Sequence, residues 1–186
     1  MNRGFPSRSL TRLIVLAALW FAAGPLLAQT YVAGQTYFGR NQYIEYMAGN
    51  LPVIIAAPHG GSLTPAELPN RTGGTTTTDM NTEDLARRIQ QAFSDRFGGY
   101  PHVIICRLDR LKIDCNRDIV EGAEGNALTE ISWNDFQNFL TAAGQTVTNQ
   151  FGRGLFLDMH GHGQTLQRLE LGYLLTASEL DASDAT

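Results

Sequence analysis

The stretch PVIIAAPHGG at residues 52–61 sets the expected architecture, and GLFLDMHGHG at residues 154–163 repeats its design. In each stretch a short run rich in Val, Ile, Leu or Phe predicts a strand buried on both faces, and a His followed by Gly ends the run. Glycine allows the backbone to turn sharply at that point. Because ligands of open α/β sheets sit at strand ends, His59 and His160 occupy positions where such a fold places a metal site.

Further strand patterns lie on either side of these two stretches. An alternating run over Tyr37–Met47 predicts an early strand, and Val103–Cys106 predicts a buried one. Pro, Gly and Thr residues over Ser62–Thr78 predict a long loop. A final strand is expected over Leu169–Leu175. The strands are thus separated by segments long enough to hold helices.

Two of those segments have helical periodicity. Asn81 is expected to cap a helix that runs to about Phe97, with Leu85, Ile89 and Phe93 on its apolar face. A second helix is expected from about Glu130 to Gln150. Its apolar positions recur every three or four residues: Trp133, Phe136, Leu140 and Val147. Strands separated by helices predict a layered α/β domain with a largely parallel or mixed central sheet flanked by helices.

The first 28 residues have the composition of a secretory signal peptide. Three arginines precede an apolar run, and small residues precede Gln29. An uncleaved membrane anchor is the alternative, but the apolar run is short and Gly24-Pro25 interrupts it. We therefore expect a periplasmic or secreted protein with no stable membrane anchor after cleavage, whose residues 29–186 form a single domain.

Charge and cysteine content restrict the classes of partner. The net charge of −4 becomes about −7 once the three arginines of the signal are removed. A chain this acidic, with no basic patch, is not expected to bind nucleic acid. The two cysteines, Cys106 and Cys115, would meet an oxidising compartment after export, which leaves open either a disulfide or two buried thiols.

Residues around the His-bearing strand ends strengthen the case for a metal. Asp158 precedes His160 by two positions, so both side chains can point to one side of an extended segment. His162 alternates with His160 and is expected to support the site from outside the ligand set, although a third ligand is the alternative. His102 begins its strand, at the opposite end from the expected site, which favours a structural role.

A third segment, Arg107–Asp118, also follows a strand end and concentrates positive charge in an acidic chain. A guanidinium can grip a carboxylate through two parallel hydrogen bonds, and a neighbouring Asn adds a neutral donor. Arg110, Asn116 and Arg117 are therefore the expected substrate-binding residues. The alternative is a solvated loop whose arginines pair with its own aspartates.

Taken in order, the three segments resemble the N-formylglutamate amidohydrolase family, which is related to the zinc carboxypeptidases. The resemblance rests on Pro58-His-Gly-Gly61, on Asp-Cys-Asn-Arg at 114–117 and on Leu-Asp-Met-His-Gly-His at 157–162, and it spans about Tyr37–Tyr173. It implies a zinc-carboxypeptidase-like fold and one Zn²⁺ per chain bound by His59 and His160. It also implies a carboxylate clamp of Asn116 and Arg117.

The resemblance implies an acidic third zinc ligand, drawn from the segment that follows the first His. Asp79, just before the helix near Thr82, fits that position best, and Glu67 and Glu83 remain alternatives. Two imidazoles and one carboxylate leave a coordination position for water, whose pKa zinc lowers to about 7.

The general base of the family is expected on a late strand well beyond the second His. Glu170 is the only well-placed acid after His160, so it is either a substitute base or a structural residue, and the expected base would lie beyond residue 186. We therefore expect the chain to lack its C-terminal part. Such a chain is expected to hold zinc but to turn over poorly.

Three functions follow from these observations. The first is an exported zinc amidohydrolase that cleaves an amide bond next to a free carboxylate. The second is a zinc carboxypeptidase acting on cell-wall or γ-glutamyl peptides, which would need a longer groove. The third is a non-catalytic exported binding domain that retains the clamp. The expected partner is a small carboxylate-bearing substrate or a short peptide.

Overall fold

The computed structural model describes residues 30–166 and 168–172. The predicted signal peptide over residues 1–28 and the polar tail over residues 177–186 lie outside the described residues. Of the strand predicted over Leu169–Leu175, residues 169–172 are described, and these four are not in a strand. This part of the prediction is wrong: the four residues pair with no described strand, and Leu169 and Leu171 are exposed.

The described chain forms one mixed sheet of five strands, β1 to β5. The strands are β1 Thr36–Phe38, β2 Ile44–Met47, β3 Val53–Ala57, β4 His102–Cys106 and β5 Leu155–Asp158. Their order is β1-β2-β4-β3-β5; β4, β3 and β5 run parallel, whereas β1 and β2 are antiparallel to their neighbours. The predicted α/β class, with a mixed sheet that is parallel in its core, is confirmed.

Three α-helices connect strands in the described part of the chain, and side-chain caps begin two of them. They are α1 Thr82–Phe97, α2 Ile119–Ala123 and α3 Ala127–Phe151. The short α2 was not predicted; Asp118 begins it by accepting hydrogen bonds from the next backbone N–H groups. The helix α3 starts earlier than predicted because the Asn126 side chain accepts from Thr129 N–H. None of the described helices has the length and apolar composition needed to cross a membrane.

The helix α1 has the predicted bounds, but its predicted side-chain cap is not formed and one residue of its predicted apolar face is exposed. Asn81 precedes the helix, but its backbone is left-handed and its side chain makes no capping hydrogen bond. The Thr82 hydroxyl instead donates to the Asp79 carbonyl at 2.8 Å. Ala86 is fully buried against the sheet and Ile89 is partly buried, whereas Leu85 is exposed. Of the three predicted apolar positions, Ile89 and Phe93 are thus partly buried and Leu85 is not.

Apolar side chains cover both faces of the central strands, which gives a three-layer arrangement. On one face, alternate residues of β3 and β4, including Ile54 and Ile104, pack with Phe136 and Phe139 of α3. On the other face, Ile55 and Val103 pack with Ala86 of α1. The period of two along a strand sends successive side chains to opposite helices.

The strand β5 lies at the edge of the sheet. It was predicted to be buried on both faces, but Leu155 and Phe156 are each about half exposed and only Leu157 is partly buried in the core. Its hydrogen bonds join it to β3 on one side, and no described strand pairs with its other side. An apolar run in the sequence thus predicted the strand correctly but not its burial.

His102 is a buried structural residue at the start of β4, at the end of the strand remote from His59. Its Nδ1 accepts from Gly49 N–H at 3.2 Å and lies 2.8 Å from the Tyr46 hydroxyl. Burial lowers the pKa of His102 to about 4 from an ordinary value of 6.5. The neutral ring is therefore the form that the fold accommodates.

We predict that His102 makes the fold sensitive to acid. Between pH 6.5 and about 4 the unfolded chain binds a proton that folded His102 does not, so stability falls as the pH falls through this window. The loss from this one group is at most about 3 kcal/mol. Denaturant unfolding at several pH values should give a shallower acid limb for His102→Gln than for the unaltered chain. Replacing the exposed His162 by Gln should leave the limb unchanged, and equal slopes in all three would contradict the prediction.

Candidate metal centre

His59 follows the carboxyl end of β3 in a tightly confined loop. A Cβ on Gly61 would lie 2.1 Å from the carbonyl carbon of Arg107, and one on Gly60 would lie 2.5 Å from the backbone nitrogen of Glu83. The loop is thus held between the end of β4 and the first turn of α1, where only glycine fits. This confinement keeps the His59 ring buried, with 1% of its surface exposed.

His160 follows β5 and meets His59 because β3 and β5 are parallel neighbours. The Met159 N–H donates to the Ala56 carbonyl at 2.8 Å, which extends the pairing to the residue before His160. The two imidazole rings lie with their centroids 5.1 Å apart. The meeting of these two strand ends, which the sequence predicted, is present in the structure.

Asp79 completes a group that could hold a metal ion. Its backbone N–H donates to the His59 carbonyl at 2.9 Å, just before α1. Its Oδ2 lies 3.1 Å from Nδ1 of His160 and 3.5 Å from Nδ1 of His59. One potential ligand atom from each of the three residues lies within 4.8 Å of the others.

The hydrogen bonding of His59 fits a metal ligand. Its Nε2 lies 2.6 Å from Oδ1 of the buried Asp114, which can only accept from it when ionised. In a neutral ring the proton therefore lies on Nε2, and Nδ1 presents a lone pair on the side of Asp79. Nδ1 is buried and has no hydrogen-bond partner among the described residues. A cation between this lone pair and the Asp79 carboxylate would satisfy both groups.

His160 repeats the pattern in a more open setting. Its Nε2 lies 3.0 Å from Oδ2 of Asp158, and its Nδ1 faces Asp79. The Asp158 hydrogen bond raises the pKa of His160 above its usual range; burial opposes this shift, and Asp79 adds to it. The His160 side chain is 37% exposed, compared with 1% for His59. A metal held here would be reached by water or substrate from the His160 side.

Asp114 is the residue that sequence reasoning did not assign to the site. Its Oδ2 accepts from Nε of Arg110 at 3.0 Å and forms an ion pair with Nη2 at 3.0 Å, and its Oδ1 accepts from Asn116 N–H at 3.0 Å. Burial alone would raise the pKa of Asp114, but His59, Arg110 and this backbone hydrogen bond together hold it well below its usual range. The sequence signal was an Asp two positions before Asn116, in a segment considered only for substrate binding.

The structure brings two of the three predicted substrate-binding residues to the site. Asn116 Nδ2 lies 3.2 Å from Nε2 of His160, and Arg110 contacts Asp114 and, at 3.5 Å, Asp79. Arg117 is half exposed, and its guanidinium pairs with Glu121 on α2 at 3.7 Å. No described contact joins Arg117 to His160.

The two alternative third ligands are engaged elsewhere. Glu67 accepts hydrogen bonds at 2.8–2.9 Å from three residues near the start of the sheet: Arg40, Asn41 and Tyr43. Glu83 pairs with Arg87 on α1 at 2.8 Å. Neither belongs to the group of three ligand atoms in the described part of the chain.

A cavity of about 430 Å³ adjoins His160. Its walls include Glu170, the predicted base, whose carboxylate accepts from Arg168 at 2.8 Å. His162 also lines the cavity, but its ring nitrogens contact the Arg168 carbonyl and the Gln164 N–H. His162 was predicted to support His160, but no contact between the two side chains is present among the described residues.

Cys106 and Cys115 are free thiols and both are buried. Burial, and to a smaller extent the neighbouring Cys106 thiol, raises the pKa of the Cys115 thiol. Cys115 lies in the core cluster with Cys106, while its two sequence neighbours, Asp114 and Asn116, contact the site histidines. The alternation along this short segment places the apolar residue in the core and the polar residues at the site.

We predict that the metal-ligand group takes up one divalent ion per chain. Elemental analysis after loading with Zn²⁺ should find the ion in the unaltered protein and lose it in His59→Ala and His160→Ala, because each change removes one of three ligands. His162→Ala is the matched control and should keep the ion. Equal metal content in His160→Ala and His162→Ala would exclude the group.

We also predict that Asp114 positions His59 for the metal. Asp114→Asn replaces the carboxylate by a neutral amide, which is a weaker acceptor for the Nε2 proton, so metal affinity should fall about ten- to hundredfold while the ligands remain. Competition with a chelator of known affinity measures the change. Asp95→Asn on the exposed face of α1 is the control of equal charge change, and it should bind metal as the unaltered chain does. An Asp114→Asn protein with undiminished affinity would contradict the assignment.

Comparisons of this chain with protein-family models, with curated proteins and with solved structures found no match. The metal-ligand assignment therefore rests on the geometry of His59, Asp79 and His160 and on the carboxylates that contact the two histidines.

Proposed function

We propose that this chain is a zinc-dependent amidohydrolase that cleaves an amide bond next to a free carboxylate. The observation that supports this most directly is the set of two imidazoles and one carboxylate that converge at the strand ends. Two His and one acid are a common ligand set of catalytic zinc, with a coordination position left for water. The resemblance to N-formylglutamate amidohydrolases in three ordered segments supports the same reaction class.

Zinc bound by this set would lower the pKa of a water molecule to about 7 and polarise the scissile carbonyl. The chain's own residues have separate tasks. Asp114 holds the proton of His59 on Nε2 and so keeps Nδ1 available as a ligand. Glu170, which lines the same cavity as His160, is the proposed proton acceptor.

Asn116 and Arg110 are the proposed contacts of the substrate carboxylate. With the Nε2 proton of His160 shared with Asp158, the Asn116 amide retains its own protons for another acceptor. Arg110 has five N–H donors, and its hydrogen bonds to Asp114 leave others for a substrate. Arg117 remains a proposed member of the clamp, and it would have to leave Glu121 to take part.

The size of the cavity beside His160 supports the carboxypeptidase alternative. The cavity beside His160 has a volume of about 430 Å³, far more than a formyl group needs. Three apolar side chains line it: Met80, Leu85 and Leu169. A longer acyl group or a peptide would fill this space, so cell-wall or γ-glutamyl peptides are the second candidate substrates. Both candidates fit the export proposed from residues 1–28.

We predict hydrolysis by the zinc-loaded chain. Release of glutamate from N-formylglutamate and from a γ-glutamyl dipeptide should be measurable, and His160→Ala should abolish it while His162→Ala should not. Faster cleavage of the dipeptide would select the carboxypeptidase alternative. A zinc-loaded chain that binds these compounds but cleaves none of them would favour the binding-domain hypothesis and contradict the proposed activity.

The same assay can test whether the proposed clamp residues bind the substrate carboxylate. Loss of one charged hydrogen bond to the substrate should lower kcat/KM about tenfold to a hundredfold in Asn116→Ala and Arg117→Ala. The effect should vanish on a substrate analogue whose carboxylate is replaced by an amide. Unchanged activity of Arg117→Ala on carboxylate substrates would remove Arg117 from the clamp and leave Asn116 and Arg110.

A further inference from the structure

A second cavity, of about 180 Å³, lies at the start of α3, and no residue of the metal-ligand group lines it. Its walls are Pro69, Asn70, Arg71, Lys112, Ala123, Glu124 and Thr129. Two of these side chains are cationic and more than nine-tenths buried, with 5% of Arg71 and 8% of Lys112 exposed. Buried charges are normally paired, so the partners of these two cations need to be identified.

Lys112, the only lysine of the chain, has no carboxylate partner among the described residues. Its ammonium donates to the Leu68 carbonyl at 2.7 Å, which is a neutral acceptor. An ammonium carries three donors, so one carbonyl leaves most of its hydrogen-bonding capacity unused. Its positive charge is therefore not neutralised by an ion pair within the described part of the fold.

The Arg71 guanidinium also has a hydrogen-bond donor without a partner among the described residues. Its two Nη atoms donate to backbone carbonyls of the surrounding loops: Thr75, Arg110 and Gly73. Its Nε is buried and has no hydrogen-bond partner among the described residues. The carboxylate oxygen that forms an ion pair with Arg71, Oδ2 of Asp114, is 3.8 Å from Nη1 and is closer to Arg110, from whose Nε it accepts at 3.0 Å.

The other charged groups of the cavity leave an excess of positive charge. The Glu124 carboxylate accepts from Thr72 and Gly73 backbone N–H groups, which hold it against the neighbouring loop rather than against Lys112. Thr129 lies in the first turn of α3, whose amino-terminal dipole is positive. Among the residues that line the cavity, two cations therefore face one carboxylate, Glu124, which already accepts from backbone N–H groups.

We propose that this cavity binds a small tetrahedral oxyanion of the phosphate or sulfate type. Such an anion would accept from the free donors of Lys112 and from Nε of Arg71, and it would neutralise the charge that the fold leaves buried. The available volume suits an ion of this size. None of the cavity residues is a candidate metal ligand, so this proposal does not rest on the proposed hydrolase activity.

The test is calorimetric titration with inorganic phosphate, performed on the protein as purified and again after removal of metal by a chelator. Phosphate should bind in both cases, and sulfate should compete with it. Lys112→Met should weaken binding about tenfold to a hundredfold through the loss of charged hydrogen bonds. Lys112 is preferable to Arg71 for this change because Arg71 also holds three loop carbonyls. Arg96→Met, on the exposed end of α1, removes the same charge and should bind phosphate normally.

A second measurement avoids any variant that fails to fold. Acetic anhydride acylates lysine amines, and peptide mass spectrometry can follow Lys112 separately from the chain's amino terminus. Phosphate should slow acylation of Lys112 severalfold in the unaltered protein. The proposal is overturned if phosphate does not bind, if folded Lys112→Met binds it as well as the unaltered chain, or if acylation proceeds at the same rate with and without phosphate. Tighter binding of acetate than of phosphate would exclude a tetrahedral ligand.

Discussion

The hydrogen bond between His59 and the buried Asp114, 2.6 Å long, is the interaction on which the site depends. Taking a carboxylate out of water is costly, and here His59, Arg110 and a backbone N–H offset that cost. Loss of the His59 partner would leave a buried carboxylate oxygen with one hydrogen bond fewer, which typically costs about 1–3 kcal/mol. The pair therefore ties the loop after β3 to the segment after β4, and the position of His59 follows from it.

The two histidines have the same pattern of contacts but different exposure. Each presents Nδ1 to Asp79 and Nε2 to a second carboxylate, Asp114 or Asp158. His59 is enclosed by the loop glycines, whereas His160 stands on an edge strand beside a cavity. The enclosed His59 would hold a metal in a fixed position, and the exposed His160 would leave the metal accessible to a substrate.

The parallel part of the sheet explains why residues far apart in the chain converge. The strands β3, β4 and β5 are parallel, so their carboxyl ends lie at the same end of the sheet, and each is followed by a polar segment. His59 and Asp114 are 55 positions apart, and Asp79 and His160 are 81 positions apart. Only a parallel arrangement with crossover helices brings such segments together at one edge. The edge position of β5 then leaves His160 open to solvent.

Apolar runs were sufficient to predict the strands β3, β4 and β5, and apolar residues at three- to four-residue steps predicted the helices α1 and α3. Together they gave the α/β class, and the His-Gly ends of two runs predicted the meeting of His59 with His160. Such patterns report local backbone preference and burial, which neighbouring residues largely establish. Four features could be known only from the tertiary structure: the burial of β5, the capping of α1, the pairing of Asp114 with His59 and the outward position of Arg117. Each of these features depends on which groups, distant in the sequence, lie next to a side chain in the fold. The conformation of the loops sets those neighbours, and the periodicity of the sequence does not report it.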